Sequence, residues 1–257
     1  MPEPLARRVA LVTGAASGIG LAASRLLSSE GWALALVDRD GAALDALART
    51  LTDAETAAFA HDVSGDAAWD ETESALRERF GGLDGVVVNA GISDSGTIAD
   101  LSFEAWRRVL SVNLDGAFLT LRTGMRLLRD GGAAVVVSSA SGVKAEAGIA
   151  AYAASKAGVI QLAKVAAKEG APRGIRVNTI LPGGVETPMW RGMEFFKDMV
   201  ANLGSEQAAF DAIAAQGTPL GRYAKAEEIA GQIAFLLSPS ARSMTGASLI
   251  VDGGYTL

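Results

Sequence analysis

Thr13-Gly14-Ala15-Ala16-Ser17-Gly18-Ile19-Gly20 follows the apolar run Arg8-Val9-Ala10-Leu11-Val12 and leads into a segment of helical period. A strand that ends in glycines brings backbone N–H groups up to an anion with no Cβ in the way. A helix opening at Gly18 adds free N–H groups and the positive end of its dipole. The stretch therefore reads as a phosphate cradle in a strand-turn-helix unit. Its spacing, G-x-x-x-G-x-G, differs from the G-x-G-x-x-G dinucleotide fingerprint. With 30 glycines in 257 residues, three of them can also do no more than close a tight turn. The next strand bears on that choice. A second apolar run, 33–37, ends at Asp38, 18 positions beyond Gly20. That is close to the spacing at which a carboxylate accepts hydrogen bonds from the adenosine ribose.

The apolar content of 49% over 257 residues is enough to bury a full core, and the length suits one α/β domain covering 1–257. No linker, repeat or charge run interrupts the chain, and its seven prolines are scattered. A net charge of -6 leaves no basic stripe to neutralise phosphates, which points to small-molecule chemistry rather than a nucleic-acid partner. Without cysteine there is no disulfide framework, thiolate nucleophile or Cys-based zinc site. A single histidine, His61, makes a His-centred metal site improbable, so no metal is expected. Arg7-Arg8 and the apolar run behind them are too short for a signal core or a membrane span, and a cytoplasmic protein is expected.

Apolar runs of strand length alternate with segments of helical period, the pattern of a parallel sheet covered on both faces. Strands are expected at 9–12, 33–37, 56–60, 85–88, 133–137, 175–180 and 248–251, giving a seven-stranded, doubly wound sheet. Helices are expected at 21–29, 41–51, 67–80, 103–128, 151–168 and 226–237. In the longest of these, Phe103, Trp106, Leu110, Leu114, Leu121, Met125 and Leu128 form one buried stripe, Ser102 is the N-cap and Gly131-Gly132 ends the helix. An excursion at about 189–220, rich in Trp, Met and Phe, reads either as a surface helical hairpin or as the wall of a pocket beyond the strand ends.

Tyr152-Ala153-Ala154-Ser155-Lys156 puts a phenol and an ammonium four residues apart, hence on one helix face. A nearby ammonium stabilises a phenolate and brings its pKa down toward the working range. Thirteen residues earlier, at the end of an apolar strand, Ser139 offers a hydroxyl to the same side.

Taken with Asn89-Ala90-Gly91, Asn113 and Pro182-Gly183, these motifs resemble in order and spacing the short-chain dehydrogenase/reductase family in its form of about 250 residues. The resemblance runs the length of the chain, through Thr245-Gly246 and Val251-Asp252-Gly253-Gly254. It implies a Rossmann-like fold and hydride exchange between NAD(H) and a secondary alcohol or ketone. Tyr152 matches the acid/base, and Lys156 the residue that lowers the phenol's pKa and holds the nicotinamide ribose. Ser139 matches the serine on the substrate oxygen, and Asn113 the asparagine that holds a water in the proton relay. For cofactor binding it implies the turn residues Gly14, Ser17, Gly18, Ile19 and Gly20, with Asp38 and Arg39 after the second strand. It adds Asp62 and Val63 at the adenine, Asn89, Ala90 and Gly91, and Pro182, Gly183, Val185 and Thr187.

Asp38 stands where the 2′-phosphate of NADP would sit, and Ser17 takes the place where NADP-preferring relatives carry a basic residue, so NAD is the expected cofactor. Arg39, read as stacking beside the adenine or lying in solvent, is the feature that keeps NADP as the lesser alternative. Pocket residues are expected to include Ile92, Ser141, Val143, Ile149, Gly183, Met189, Trp190 and Met193, with Glu146, Asp94 and Arg191 adding polar specificity. Two other readings stay open: an NADPH-dependent 3-oxoacyl carrier-protein reductase, and a dinucleotide sensor without chemistry. Relatives usually form homotetramers, and the small residues Ala153, Ala157, Ala163, Ala166 and Ala167 are compatible with close helix packing.

Overall fold

The computed structural model describes residues 7–257. The chain runs β1 (Val9–Thr13), α1 (Gly18–Ser29), β2 (Ala33–Asp38), α2 (Gly41–Thr50), β3 (Thr56–Ala60), α3 (Asp66–Phe80) and β4 (Leu83–Val88). It continues through α4 (Phe103–Leu110), α5 (Gly116–Leu127), β5 (Leu128–Val137), α6 (Ala150–Gly170) and β6 (Arg176–Pro182). Seven strands, closed by β9 (Ser248–Val251), pair in parallel in the order β3-β2-β1-β4-β5-β6-β9, as the strand pattern predicts. Alternate residues of one strand feed opposite layers: Val9 and Leu11 join one apolar core, Ala10 and Val12 the other. With helices on both faces, the strands read as continuous apolar runs rather than alternating ones.

β1 pairs with β2 on one side and with β4 on the other, so the chain leaves β1 in one direction and later returns in the other. That reversal opens a crevice at the carboxyl ends of the two strands, where ligands bind in open α/β sheets. The glycine turn hangs over it.

The expected long helix 103–128 is not continuous. A π-helical turn, Ser111–Asp115, separates α4 from α5, and its extra residue rotates everything beyond it relative to a straight helix. The predicted stripe holds only in part. Phe103 is 76% exposed, Trp106 and Leu110 are half-buried, Leu114 and Met125 pack against the core from its edge, and Leu121 and Leu128 lie within it. The buried side belongs instead to Val109, Asn113, Ala117, Leu121 and Leu127. Ser102 does cap α4, accepting from the Ala105 N–H at 3.1 Å. Gly131-Gly132 does not end the helix, because α5 stops at Leu127 and β5 begins at Leu128. Arg173 explains the early stop: its guanidinium donates to the carbonyls of Met125 (3.0 Å) and Leu128, satisfying the helix end from outside.

The excursion after β6 folds as α7 (Glu194–Leu203) and α8 (Glu206–Gly217), closed at its stem by parallel pairing of β7 (Val185–Glu186) with β8 (Ala224–Lys225). It carries its own apolar core. Phe196, Phe210 and Tyr223 pack together, and Trp190 stacks on Tyr223 at 5.4 Å. The last helix, α9 (Ala226–Leu237), shares a core with α1 through Ile229, Ala230 and Ile233 against Ala22, Ala23 and Leu27. No helix among the described residues is long and apolar enough to cross a membrane.

Candidate active site

The glycine turn is shaped by its own packing. Gly14 and Gly18 have left-handed φ values of 63° and 51°. A Cβ on Gly20 would stand 2.0 Å from the Gly14 carbonyl oxygen, and one on Gly14 would stand 2.8 Å from Asn89 Nδ2. At Gly14 and Gly20, then, the missing Cβ makes room for the chain itself. Asn89 locks the turn to the end of β4: its Nδ2 donates to the Thr13 carbonyl at 2.9 Å and its backbone N–H to Thr13 Oγ1 at 3.0 Å. Ser17 caps α1 without a side-chain hydrogen bond, leaving the helix N-terminus to offer its N–H groups outward.

Beside the turn lies a cavity of about 160 Å³ lined by Gly14, Ser17, Asp38, Arg39, Asp62, Val63, Ala90 and Gly91, as expected, and by His61, Ile92 and Val112. The Asp38 carboxylate accepts from the Ala16 N–H at 2.9 Å and from the Asp40 N–H at 3.1 Å, which fixes its orientation toward the turn. Burial works to raise the Asp62 pKa. Hydrogen bonds from the Ser64 side chain and backbone, and the charges of Arg39 and His61, outweigh it and hold the carboxyl below its usual range. His61 was missed as a wall residue because a lone histidine carries no motif. Its Nε2 lies 3.0 Å from Thr72 Oγ1 and its ring meets Trp69 edge-on.

A larger cavity, about 420 Å³, joins the other side of the crevice and brings Ser139, Tyr152 and Lys156 into one wall. Ser139 stands two residues beyond the end of β5, on the same cavity wall as the Tyr152 phenol, and its hydroxyl accepts from the Ser141 N–H at 3.1 Å. Tyr152 and Lys156 share a face of α6, with Lys156 Nζ 5.7 Å from the centre of the phenol ring. Lys156 is only 4% exposed, and its Nζ donates to the Val137 carbonyl at 2.9 Å. Burial lowers its pKa to about 8. The phenol departs from expectation: burial raises its pKa, and the Ser139 hydrogen bond opposes that only in part. The ammonium spends a donor on Val137 rather than on the phenol.

Asn113 sits in the π-helical turn, buried and close to this wall rather than in it. Its Oδ1 accepts from the Ile92 N–H at 2.8 Å, while Nδ2 donates to the Ile92 carbonyl at 2.9 Å and to Ser155 Oγ at 3.0 Å. Ser155 in turn donates to the Tyr152 carbonyl at 2.7 Å. Asn113 lies within the expected helix 103–128, and the fold brings it to Ser155 and the Tyr152 backbone.

Ser141, Ile149, Gly183, Met189, Trp190 and Met193 line the larger cavity as expected, together with Ile19, Asn89, Pro182, Val185 and Thr187. Four expected pocket residues do not. Val143 is 57% exposed and points away, and Ile92 lines the smaller cavity instead. Asp94 and Arg191 are drawn off by ion pairs with Arg108 and Glu206. Glu146 does line the cavity.

A family model described as enoyl-(acyl carrier protein) reductase matches residues 14–256. The cis-4-hydroxycyclohexanecarboxylate dehydrogenase of Sinomonas cyclohexanicum is 41% identical, over 100% of this chain and 99% of that one. A Brucella melitensis short-chain dehydrogenase/reductase of the glucose/ribitol dehydrogenase type superposes with a TM-score of 0.87 at 33% identity, covering 97% of both chains. The chain belongs to the short-chain dehydrogenase/reductase family. The L-sorbose reductase of Gluconobacter frateurii, solved with NADPH and L-sorbose, superposes on this family member with a TM-score of 0.91 at 30% identity, over 99% and 98% of the chains.

This short-chain dehydrogenase/reductase also builds its cavity from residues no motif announced: Ser93, Phe195, Ile213, Thr218, Tyr223 and Tyr255. Tyr255 had a usable signal. Gly253 and Gly254, at φ 64° and 89°, reverse the chain after β9 and send the C-terminal residues back over the strand ends.

Proposed function

We propose that the protein interconverts a secondary alcohol and its ketone with NAD(H), using Tyr152 as the proton acceptor and donor. The observation that carries this reading is the convergence of Tyr152, Ser139 and Lys156 on one wall of a cavity contiguous with the glycine turn. The residues present fit a dinucleotide. The α1 N-terminus offers uncapped N–H groups for a pyrophosphate, and the half-buried Asp38 carboxylate suits ribose hydroxyls. When bound, the nicotinamide supplies the hydride acceptor or donor.

In the oxidising direction Tyr152 Oη takes the proton of the substrate hydroxyl, and in the reducing direction it returns that proton to the carbonyl oxygen. Ser139 Oγ holds the same oxygen and orients it toward the phenol. Lys156, whose pKa stays at about 8 despite burial, places its ammonium 5.7 Å from the centre of the phenol ring, where its charge opposes the desolvation of the phenolate. Asn113 and Ser155 fix the backbone at Tyr152.

Asp38 supports NAD over NADP, although the L-sorbose reductase of the same fold was solved with NADPH. Arg39 lines the same cavity as Asp38 and is the feature that keeps NADP as the lesser alternative. Relatives named as ketoacyl reductases, 38% and 36% identical, favour a second reading, an NADPH-dependent 3-oxoacyl carrier-protein reductase; reduction of an acetoacetyl thioester with NADPH and not NADH supports that one. We also propose a homotetramer, supported by the exposed apolar Phe103, Phe118 and Val165 on α4, α5 and α6.

Tyr152→Phe tests the central claim. It is expected to lower kcat for alcohol oxidation and ketone reduction by about 10³-fold while NADH still binds, followed by nicotinamide fluorescence. A variant as active as wild type across a panel of secondary alcohols defeats the proposal.

A further inference from the structure

Two segments far apart in sequence meet at the wall of the larger cavity. Tyr255 Oη donates to Glu146 Oε1 at 2.5 Å, and Lys144 Nζ donates to the Tyr255 carbonyl at 2.5 Å while lying 3.9 Å from the centre of its ring. Asp252 holds the approach, accepting from the Gly254 and Thr256 N–H groups at 2.8 Å each. Burial and the adjoining carboxylate keep the Tyr255 phenol protonated, so it serves as the donor and Glu146 as the acceptor.

The cavity wall carries two residues that are charged at neutral pH, Lys156 and Glu146. Lys156 lies at the Tyr152 end, tied to Val137. Lys144 is committed to Tyr255 and lies outside the wall, and Arg191 is paired with Glu206. The wall residue that offers a substrate a charge not already tied to the protein backbone is therefore the Glu146 carboxylate. Most of the remaining wall is apolar: Met189, Trp190, Met193, Phe195 and Ile213.

We infer that Glu146, oriented by Tyr255, makes this an enzyme for uncharged substrates, favouring a secondary alcohol or ketone that carries a second hydroxyl and disfavouring carboxylates. Glu146 Oε2 has no donor among the described residues and accepts that hydroxyl. A substrate carboxylate beside Glu146, which is exposed, meets a like charge, and the cation of the cavity wall, Lys156, is tied to Val137. The substrate named for the 41%-identical relative, a hydroxycyclohexane carboxylate, is thus expected to be a poor one here. The inference rests on the alcohol/ketone reading proposed above.

The experiment compares three alcohols on one ring: 4-(hydroxymethyl)cyclohexanol, 4-methylcyclohexanol and 4-hydroxycyclohexanecarboxylate. In the wild type, kcat/KM is expected to fall in that order, with the carboxylate at least about tenfold below the hydroxymethyl compound. Glu146→Gln should cut that discrimination by about tenfold, chiefly through a lower KM for the carboxylate. Tyr255→Phe, which loses the hydrogen bond but keeps the charge, should preserve it. A structural role alone would change all three substrates together. The inference is overturned if the wild type uses the carboxylate as well as the hydroxymethyl compound, or if Glu146→Gln leaves the ratio unmoved. Turnover of none of the three, with either dinucleotide, instead defeats the alcohol/ketone reading, and this inference with it.

Discussion

Replacing Asp38 with asparagine removes one charge and little else. The amide oxygen of Asp38→Asn can still accept from the Ala16 N–H, now at 2.9 Å, so the glycine turn keeps its nearest support. The bond from the Asp40 N–H, at 3.1 Å, is the local loss. A 2′-phosphate would stand about 5 Å from the carboxylate in a half-exposed setting. With an effective dielectric near 40, between the protein and water limits, each unit of charge costs about 1.7 kcal/mol. Screening at physiological salt trims the sum for a phosphate to about 2 kcal/mol, or roughly 30-fold. For NAD the sign reverses. Charge-assisted hydrogen bonds to the ribose become ordinary ones, at a cost of about 1.4 kcal/mol, or tenfold. The ratio of kcat/KM for NAD to that for NADP should therefore fall by about 300-fold, measured with one alcohol at fixed ionic strength. It should fall less in high salt. A change below about threefold, or a wild type that already prefers NADP, refutes the role given to Asp38.

Two further outcomes follow from the packing of the site. Gly20→Ala places a methyl 2.0 Å from the Gly14 carbonyl, so the turn must open; NADH affinity by fluorescence titration should drop by at least about 100-fold, and an unchanged affinity contradicts the geometry. Lys156→Met probes a buried amine whose pKa falls from 10.5 to about 8 on folding. Between those values the unfolded chain holds more protons, so this group's contribution to stability is complete above pH 10.5 and is lost as pH falls to 8. The wild type should gain stability relative to the methionine variant as pH rises across that window, by denaturant unfolding of the ligand-free protein, and a loss would reverse the assignment.

What the sequence made legible was whatever the chain declares locally. Strand ends at Thr13, Asp38 and Val137 follow from apolar runs stopping at polar residues, and they place the glycine turn, the ribose carboxylate and Ser139 without any tertiary knowledge. Tyr152 and Lys156 share a face by helical arithmetic alone. The interrupted helix was illegible for a corresponding reason. Residues 103–128 keep an apolar period across the π-helical turn, and one extra residue in a ladder leaves no mark on composition. Its end at Leu127 was hidden too, since Arg173, about 45 residues later, supplies the cap. The Glu146 and Tyr255 contact spans 109 residues, and only the reversal at Gly253-Gly254 hints at it. The direction of the Tyr152 pKa was misjudged because spacing reveals a neighbouring ammonium but not the desolvation around it.

That desolvation shifts the burden onto how the four candidate residues are held. Both donors of the Asn113 amide are consumed, by the Ile92 carbonyl and Ser155 Oγ, and one lone pair of Oδ1 is taken by the Ile92 N–H. One acceptor site on Oδ1 is left. A Cβ built on Gly91 would stand 3.3 Å from that oxygen and 3.4 Å from Lys156 Nζ, so glycine at this position keeps the space between them open. The π-helical turn delivers Asn113 to one side of that space, and α6 delivers Lys156 to the other. A straight helix through 111–115 would rotate the amide away by roughly a residue's turn, about 100°. The irregularity within the expected helix is therefore what sets Asn113 facing the Tyr152 and Lys156 wall.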